Sequence, residues 1–319
     1  MTGTIGAAIQ SLDAAEFVDQ VQRAEAAGVP VAWTTIGGAA NADPLTAFGA
    51  AMMTTRTIRM GTAIIPTWPR HPVIIAQQAL ALAQLGGPER IRLGIGPSHE
   101  PTMVRNFGVR WEAPLLQLRE YLTVIRALAD EGAVDFEGRH VTARAQWRAP
   151  GGFEVLASAL RPRSFELCGA LTDGAISWMC PKAYLVSEAL PAIARGAERG
   201  NRAAPPLIAH VPVAVSTDRE KVRAIARRQL AGYQSIPFYL AMFREAGFPQ
   251  ASEGYSDELL DDLVVSGTED EVVERLLTYL DAGCGEVLAH PLMEADDRTG
   301  SIDRALAAVG KAHAKAASR

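Results

Sequence analysis

The stretch MGTAIIPTWPRHPVIIAQQALALAQLGGPERIRLGIGPSHEP, residues 60–101, decides the fold. Residues 58–65 are β-rich and end at Pro66. His71 and Pro72 open a helix that carries apolar residues at Val73, Ala76, Leu80 and Leu85. Gly86, Gly87 and Pro88 stop it. Residues 91–95 form a second short apolar strand, which runs into Gly94, Gly96, Pro97, Ser98 and His99. A near-continuous apolar strand following a helix implies a parallel sheet covered by helices. In such folds the chemistry sits just beyond the carboxyl ends of the strands. That directs attention to residues 63–68 and 96–100.

Outward from this core the same alternation repeats. Strands are expected at 4–10, 29–35, 58–65, 91–95, 153–157, 175–178, 207–215 and 286–289. Helices are expected between them, opened by Asp13, Pro44, Pro72, Pro162, Pro181, Asp218 and Thr268. Eight βα units in one chain of 319 residues point to a single (β/α)8 TIM barrel over residues 1–319. The competing reading is a doubly wound open sheet, and pairing of the first strand with the eighth separates the two. Insertions follow strand four, including a hairpin turn at 135–139, and strand seven, where 234–263 reads as a lid-like segment. Both lie on the face where long loops shape a site.

Composition narrows the function. The net charge of −5 with interspersed signs argues against nucleic-acid binding. No apolar run reaches the roughly 20 residues of a membrane span, and no export signal is read at the start, so a cytoplasmic protein is expected. Cys168, Cys180 and Cys284 lack metal-ligand spacing and read as buried thiols. No pair of histidines has metal spacing either; His71 reads as a helix cap and His210 as a satisfied barrel residue. The pairs Asp261-Asp262 and Asp296-Asp297 read as solvated faces. Tyr233, Phe238, Tyr239 and Phe243 have helical spacing, which suits core packing or a cap over a hydrophobic cleft.

Four segments occur in order and at barrel spacing: GTAIIPTWPRHP, LGIGPSHEP, VLASALRPRSFELCGALTDGAISWM and SGTEDEVVERLLTYLDAGCGEVLAHP. Together they resemble the bacterial luciferase-like flavin-dependent oxidoreductases, nearest to the actinobacterial branch that uses the deazaflavin coenzyme F420. The resemblance implies a TIM barrel, a homodimer, and hydride transfer or oxygenation of a small molecule through a dissociable flavin. It implies a non-prolyl cis peptide at Ala63-Ile64 that bulges against the ring, and ring or ribityl contacts from Thr35, Gly96, Pro97, Ser98 and His99. It places the cofactor phosphate at Ala157, Ser158, Ala159, Leu160 and Arg161, where Pro162 starts a helix whose amides and dipole favour an anion. Trp178 and Met179 match positions lining the cofactor cleft.

Two departures stand out. Deazaflavin sugar-phosphate dehydrogenases carry an Asp-His pair after strand two, where this chain reads Trp33-Thr34-Thr35-Ile36-Gly37, with no acid or base. After strand five, Ala159-Leu160 replaces the usual small glycines. The expected reaction is deazaflavin-dependent hydride transfer, with His99 and His290 as candidate proton carriers. Trp33, Trp68, Tyr233 and Tyr239 are the candidates for a substrate pocket suited to an apolar or conjugated molecule. The alternatives are an FMN-dependent monooxygenase or reductase on the same fold, and a non-redox barrel that acts as a binding partner. A Schiff-base or metal-dependent barrel enzyme would need a strand-end lysine or ligand set, and Lys182 is the nearest lysine.

Overall fold

The computed structural model describes residues 3–11, 13–34 and 42–319. Eight strands are parallel and close on themselves: β1 (Thr4–Ile9), β2 (Val31–Thr34), β3 (Arg59–Thr62), β4 (Ile91–Gly96), β5 (Glu154–Ser158), β6 (Gly174–Ile176), β7 (Leu207–Val215) and β8 (Glu286–Pro291). Each pairs with its sequence neighbour, and β8 returns to β1 in the register Thr4↔Glu286 to Ala7↔Ala289. Closure settles the architecture as a (β/α)8 barrel and rules out the open sheet.

The expected third strand is not continuous. β3 stops at Thr62, the Ala63-Ile64 peptide is cis, and Ile65–Pro66 resumes pairing along the end of β4. Thr62 ties the two strands by side chain as well: its Oγ1 donates to the Gly94 carbonyl at 2.7 Å and accepts from the Gly94 N–H at 2.9 Å. The helices form where their caps are. Asp13 accepts from the amides of Ala15 and Glu16 to start Ala14–Ala26. His71 caps Pro72–Gly86, its Nδ1 accepting from Val73 N–H at 3.3 Å while Nε2 meets the Thr142 carbonyl at 3.0 Å.

The insertion after β4 holds a helix the sequence did not announce, Glu100–Phe107, then Pro114–Asp130 and the antiparallel hairpin Ala133–Glu137 with Thr142–Gln146. The insertion after β7 holds two helices, Pro237–Glu245 and Asp257–Leu263. Tyr239, Met242 and Phe243 are buried in the first, whereas Phe238 is 54 % exposed. Of the four aspartates read as solvated, Asp296 is exposed as expected, whereas Asp261 and Asp297 are engaged. Asp261 takes Arg223, and Asp297 accepts from Gly300 N–H and Arg304 at the start of the last helix.

Side chains two apart on a strand share a face, and this period divides the barrel interior into levels. Arg92, Glu154 and Glu286, near the strand starts, form the floor: Arg92 reaches Glu154 at 2.7 Å and Glu286 at 2.6 Å. Ala8, Val31, Trp33, Leu156, Ile176, Ile208 and Leu288 form an apolar plug above it. Ser158, His210 and His290 follow two residues further along their strands, at the carboxyl-terminal mouth.

Candidate functional site

The mouth is lined by aromatic rings from four strand ends. His210 and His290 project from adjacent strands, and the register Pro212↔His290 puts them two positions apart on one face. His210 Nε2 and His290 Nδ1 are 3.2 Å apart and share one hydrogen. Trp178, just past β6, lies over both: its ring centroid is 4.1 Å from that of His210 and 5.0 Å from that of His290. Tyr233, from the insertion after β7, stands edge-on to Trp178 at 6.0 Å and to His99 at 5.6 Å. Tyr239 completes the wall, 5.8 Å from His99 and 4.9 Å from Tyr233. The insertion therefore already spans the mouth between β4 and β6.

Electrostatics keep this wall neutral. Burial pushes the His290 imidazole down to about 4, and burial with the neighbouring His290 holds His210 well below its ordinary value. His99 is lowered by burial as well. Burial raises the Tyr233 and Tyr239 hydroxyls. Trp178 Nε1 is buried, with Tyr233 as its neighbour, and makes no hydrogen bond of ordinary geometry. Among the described residues, no group of three or more histidine, cysteine or carboxylate side chains could hold a metal ion.

Around the wall stand the loops flagged by the sequence. Gly96 sits where a Cβ would lie 2.1 Å from Ser158 Oγ and 3.3 Å from Ile64 Cδ1. The ends of β3, β4 and β5 therefore meet, and a Cβ at Gly96 would push Ser158 Oγ aside. Pro97 and Ser98 are half-buried at the rim, and Ser98 holds a left-handed φ of 62°. Met179 also has positive φ, 53°, and is buried.

After β5 the helix Pro162–Leu171 points its N-terminus at the mouth, but the amides nearest it are occupied. Ala159 N–H donates to the Ile176 carbonyl at 2.9 Å, and Leu160 and Arg161 N–H both donate to Ser164 Oγ at 3.1 Å. The Arg161 guanidinium forms a two-point pair with Glu245 at 2.8 and 2.5 Å. Arg161 thus contributes less free charge for an anion than the sequence suggested.

Three other expectations change. Trp33 has no exposed surface; it belongs to the plug, stacked 4.7 Å over the Arg92 guanidinium, so it fills the barrel and does not wall a pocket. Trp68 packs on Trp111 at 5.1 Å and His140 at 6.2 Å, under the insertion after β4, away from the rings of the mouth. Thr35 lies outside the described residues. Conversely, His210 and Glu245 are brought into the site although sequence reasoning gave them no part in it. Aligning the two adjacent strands, with Ile208 and Leu288 each two residues before a histidine, would have put His210 and His290 on one inward face. Nothing local marks Glu245, which is 84 residues from Arg161.

A flat ring with polar edges suits this set of groups: aromatic faces, an indole N–H without a hydrogen bond of ordinary geometry, and the half-buried Ser98 and Ser158.

The comparisons agree with the architecture. The model of the family described as luciferase-like monooxygenase matches residues 2–285. An F420-dependent glucose-6-phosphate dehydrogenase of Nakamurella multipartita is 30% identical over 283 residues, covering 81% of this chain and 78% of that protein. A 5,10-methylenetetrahydromethanopterin reductase of Archaeoglobus fulgidus is 27% identical, covering 74% and 77%. Among solved structures, an F420-dependent secondary alcohol dehydrogenase in complex with an F420-acetone adduct superposes with a TM-score of 0.79 at 19% identity, covering 96% and 98% of the two chains. The barrel, its mouth-spanning insertions and a match over most of its length converge: this chain belongs to the luciferase-like monooxygenase family.

Proposed function

We propose that the chain is a coenzyme F420-dependent oxidoreductase that moves a hydride between the deazaflavin C5 and a carbon of a small, uncharged organic substrate. The observation that carries this reading is the neutral aromatic wall of Trp178, His210, His290, Tyr233 and His99 at the carboxyl ends of the strands. The F420-dependent relatives support the choice of cofactor.

When bound, the deazaflavin supplies the hydride donor or acceptor and, reacting poorly with oxygen, favours transfer over oxygenation. The protein does the rest. Trp178, Met179, Ala63 and Ile64 shape the ring site, and Gly96, Pro97, Ser98 and His99 meet its edge. Ala157, Ser158, Ala159, Leu160 and Arg161 lead into the helix start that receives the phosphate, with Arg161 available once it exchanges Glu245 for the ligand. Tyr233 and Tyr239 close the mouth and exclude water from the reacting atoms. Among the described residues no unpaired cation stands in the aromatic wall to recognise a phosphorylated sugar, which favours an apolar or conjugated substrate.

Two further features belong to this reading. The helices Pro44–Thr54 and Pro72–Gly86 leave Met53, Ile74 and Leu85 exposed at 69 %, 52 % and 57 %. This apolar face supports a homodimer, and light scattering would show twice the chain mass. The three free, buried thiols suit a reducing, cytoplasmic compartment. No described helix is long and apolar enough to cross a membrane.

Fluorescence titration with oxidised F420 and with FMN tests the cofactor. Tight binding of the deazaflavin alone upholds the reading. Preference for FMN, with oxygen uptake by the reduced enzyme, replaces it with a monooxygenase; binding of neither replaces it with a non-redox barrel.

A further inference from the structure

We propose that His290 takes up and returns the proton that accompanies hydride transfer in this cleft, and that His210 is its positioning residue. The proposal rests on the deazaflavin reading and assigns the proton step that reading leaves open.

His99 and His290 are the imidazoles available at the rim, and they differ in how they are held. His99 packs between Tyr233 and Tyr239 and makes no capping bond to the helix it precedes. His290 is fixed on one side: its Nδ1 lies 3.2 Å from His210 Nε2, and His210 is buried at 6 % exposure. That contact fixes the ring plane and leaves His290 Nε2 for the occupant of the half-open cleft. A neutral pair suits a base that must be empty before the reaction.

When an alcohol is oxidised, its C–H bond breaks with the electron pair passing as hydride to the oxidised deazaflavin. Its O–H proton passes to His290 Nε2. The imidazolium so formed carries its second hydrogen on Nδ1, donated to His210 Nε2. The reverse reaction returns both. From β6 the pair meets Trp178, and beyond it Tyr233. Neither a carboxylate nor a guanidinium acts on either ring among the described residues. The new positive charge is instead met by the Trp178 face, 5.0 Å away, and by the negative charge the cofactor gains.

The experiment needs no substrate. Wild type, H290Q, H210N and H210F are saturated with F420, the cofactor is reduced through an NADPH-coupled reductase in weak buffer at about pH 6, and proton uptake is read with an indicator dye. Wild type is expected to take up as much as about one proton more per cofactor than H290Q. H210F should resemble H290Q, and H210N, which keeps a hydrogen-bonding group, should recover part of the difference. ¹⁵N NMR of the cofactor-free protein gives a second readout: the His290 tautomer should be single in wild type and mixed in H210F. Equal uptake by wild type and H290Q, or a His290 tautomer indifferent to H210F, overturns the proposal. Failure of wild type to bind F420 at all overturns the cofactor reading beneath it.

Discussion

The floor and the mouth of the barrel place polar side chains on the same inward-facing positions and treat them in opposite ways. At the floor, Arg92 is 3 % exposed and has both Glu154 and Glu286 within 2.7 Å, and Arg59 shares Glu154. Burial alone would lower the proton affinity of the Arg92 guanidinium, but the two carboxylates more than offset it. At the mouth, two imidazoles share a single hydrogen bond, Trp178 Nε1 makes none of ordinary geometry, and no carboxylate or guanidinium among the described residues acts on either imidazole. Polar groups satisfied within the protein close a barrel; polar groups held rigid with capacity left over mark where a ligand belongs.

The largest effect should come from breaking the floor. Glu286→Gln leaves Arg92 short of a buried partner and should cost about 3–5 kcal/mol in denaturant unfolding. The double change Arg92→Met with Glu286→Leu should recover most of that loss. Equal losses would mean the floor is not a paired unit.

Next come the glycines of β4. A Cβ at Gly94 would lie 1.9 Å from the Thr62 carbonyl oxygen, which is backbone and cannot rotate away. Gly94→Ala should cost roughly 3 kcal/mol. At Gly96 the obstacle is Ser158 Oγ, a side chain that can turn, so Gly96→Ala should cost roughly 1 kcal/mol. Its larger consequence should be weaker cofactor binding, because Ser158 is displaced at the mouth. Thermal melts beside cofactor titrations separate the two effects.

The histidine pair gives a pH signature. Burial lowers both pKa values, His290 to about 4, below the roughly 6.5 of an unfolded histidine. The unfolded chain therefore binds more protons as pH falls from about 6.5 toward 4, and stability is full above that window and drops within it. Subtracting the melting profile of H290Q from that of wild type over this range should expose the drop. A flat difference would mean that the rings are more solvated than their packing indicates.

The smallest effect belongs to Glu245. Its pair with Arg161 is partly exposed, at 29 % and 44 % for the two side chains. Glu245→Gln should change stability by less than about 1 kcal/mol. It should also tighten binding of the phosphorylated cofactor a few-fold by freeing Arg161, which a fluorescence titration would read.

The sequence made the eight βα units legible because strand and helix periods alternate, with capping residues such as Asp13, Asp43, His71, Asp218 and Thr268 at most boundaries. It also pointed to the ends of strands three, four, five and six. What it missed depends on depth and on distant partners. Trp33 has the composition of a pocket wall, but its level in the barrel, set by register, puts it in the plug. Trp68 follows the bulge in sequence yet turns under the insertion after β4. Arg161 looks like a free cation until a helix 84 residues away supplies Glu245. The helix Glu100–Phe107 went unseen because its run is short, with Pro101 in the first turn, and no side-chain cap at His99 marks its start.

The most direct test of the account is the affinity of the purified chain for oxidised F420 set against FMN under identical conditions. The account predicts clear preference for the deazaflavin, weakened by Gly96→Ala and retained in H290Q. Equal or stronger binding of FMN, or no binding of either, would contradict it.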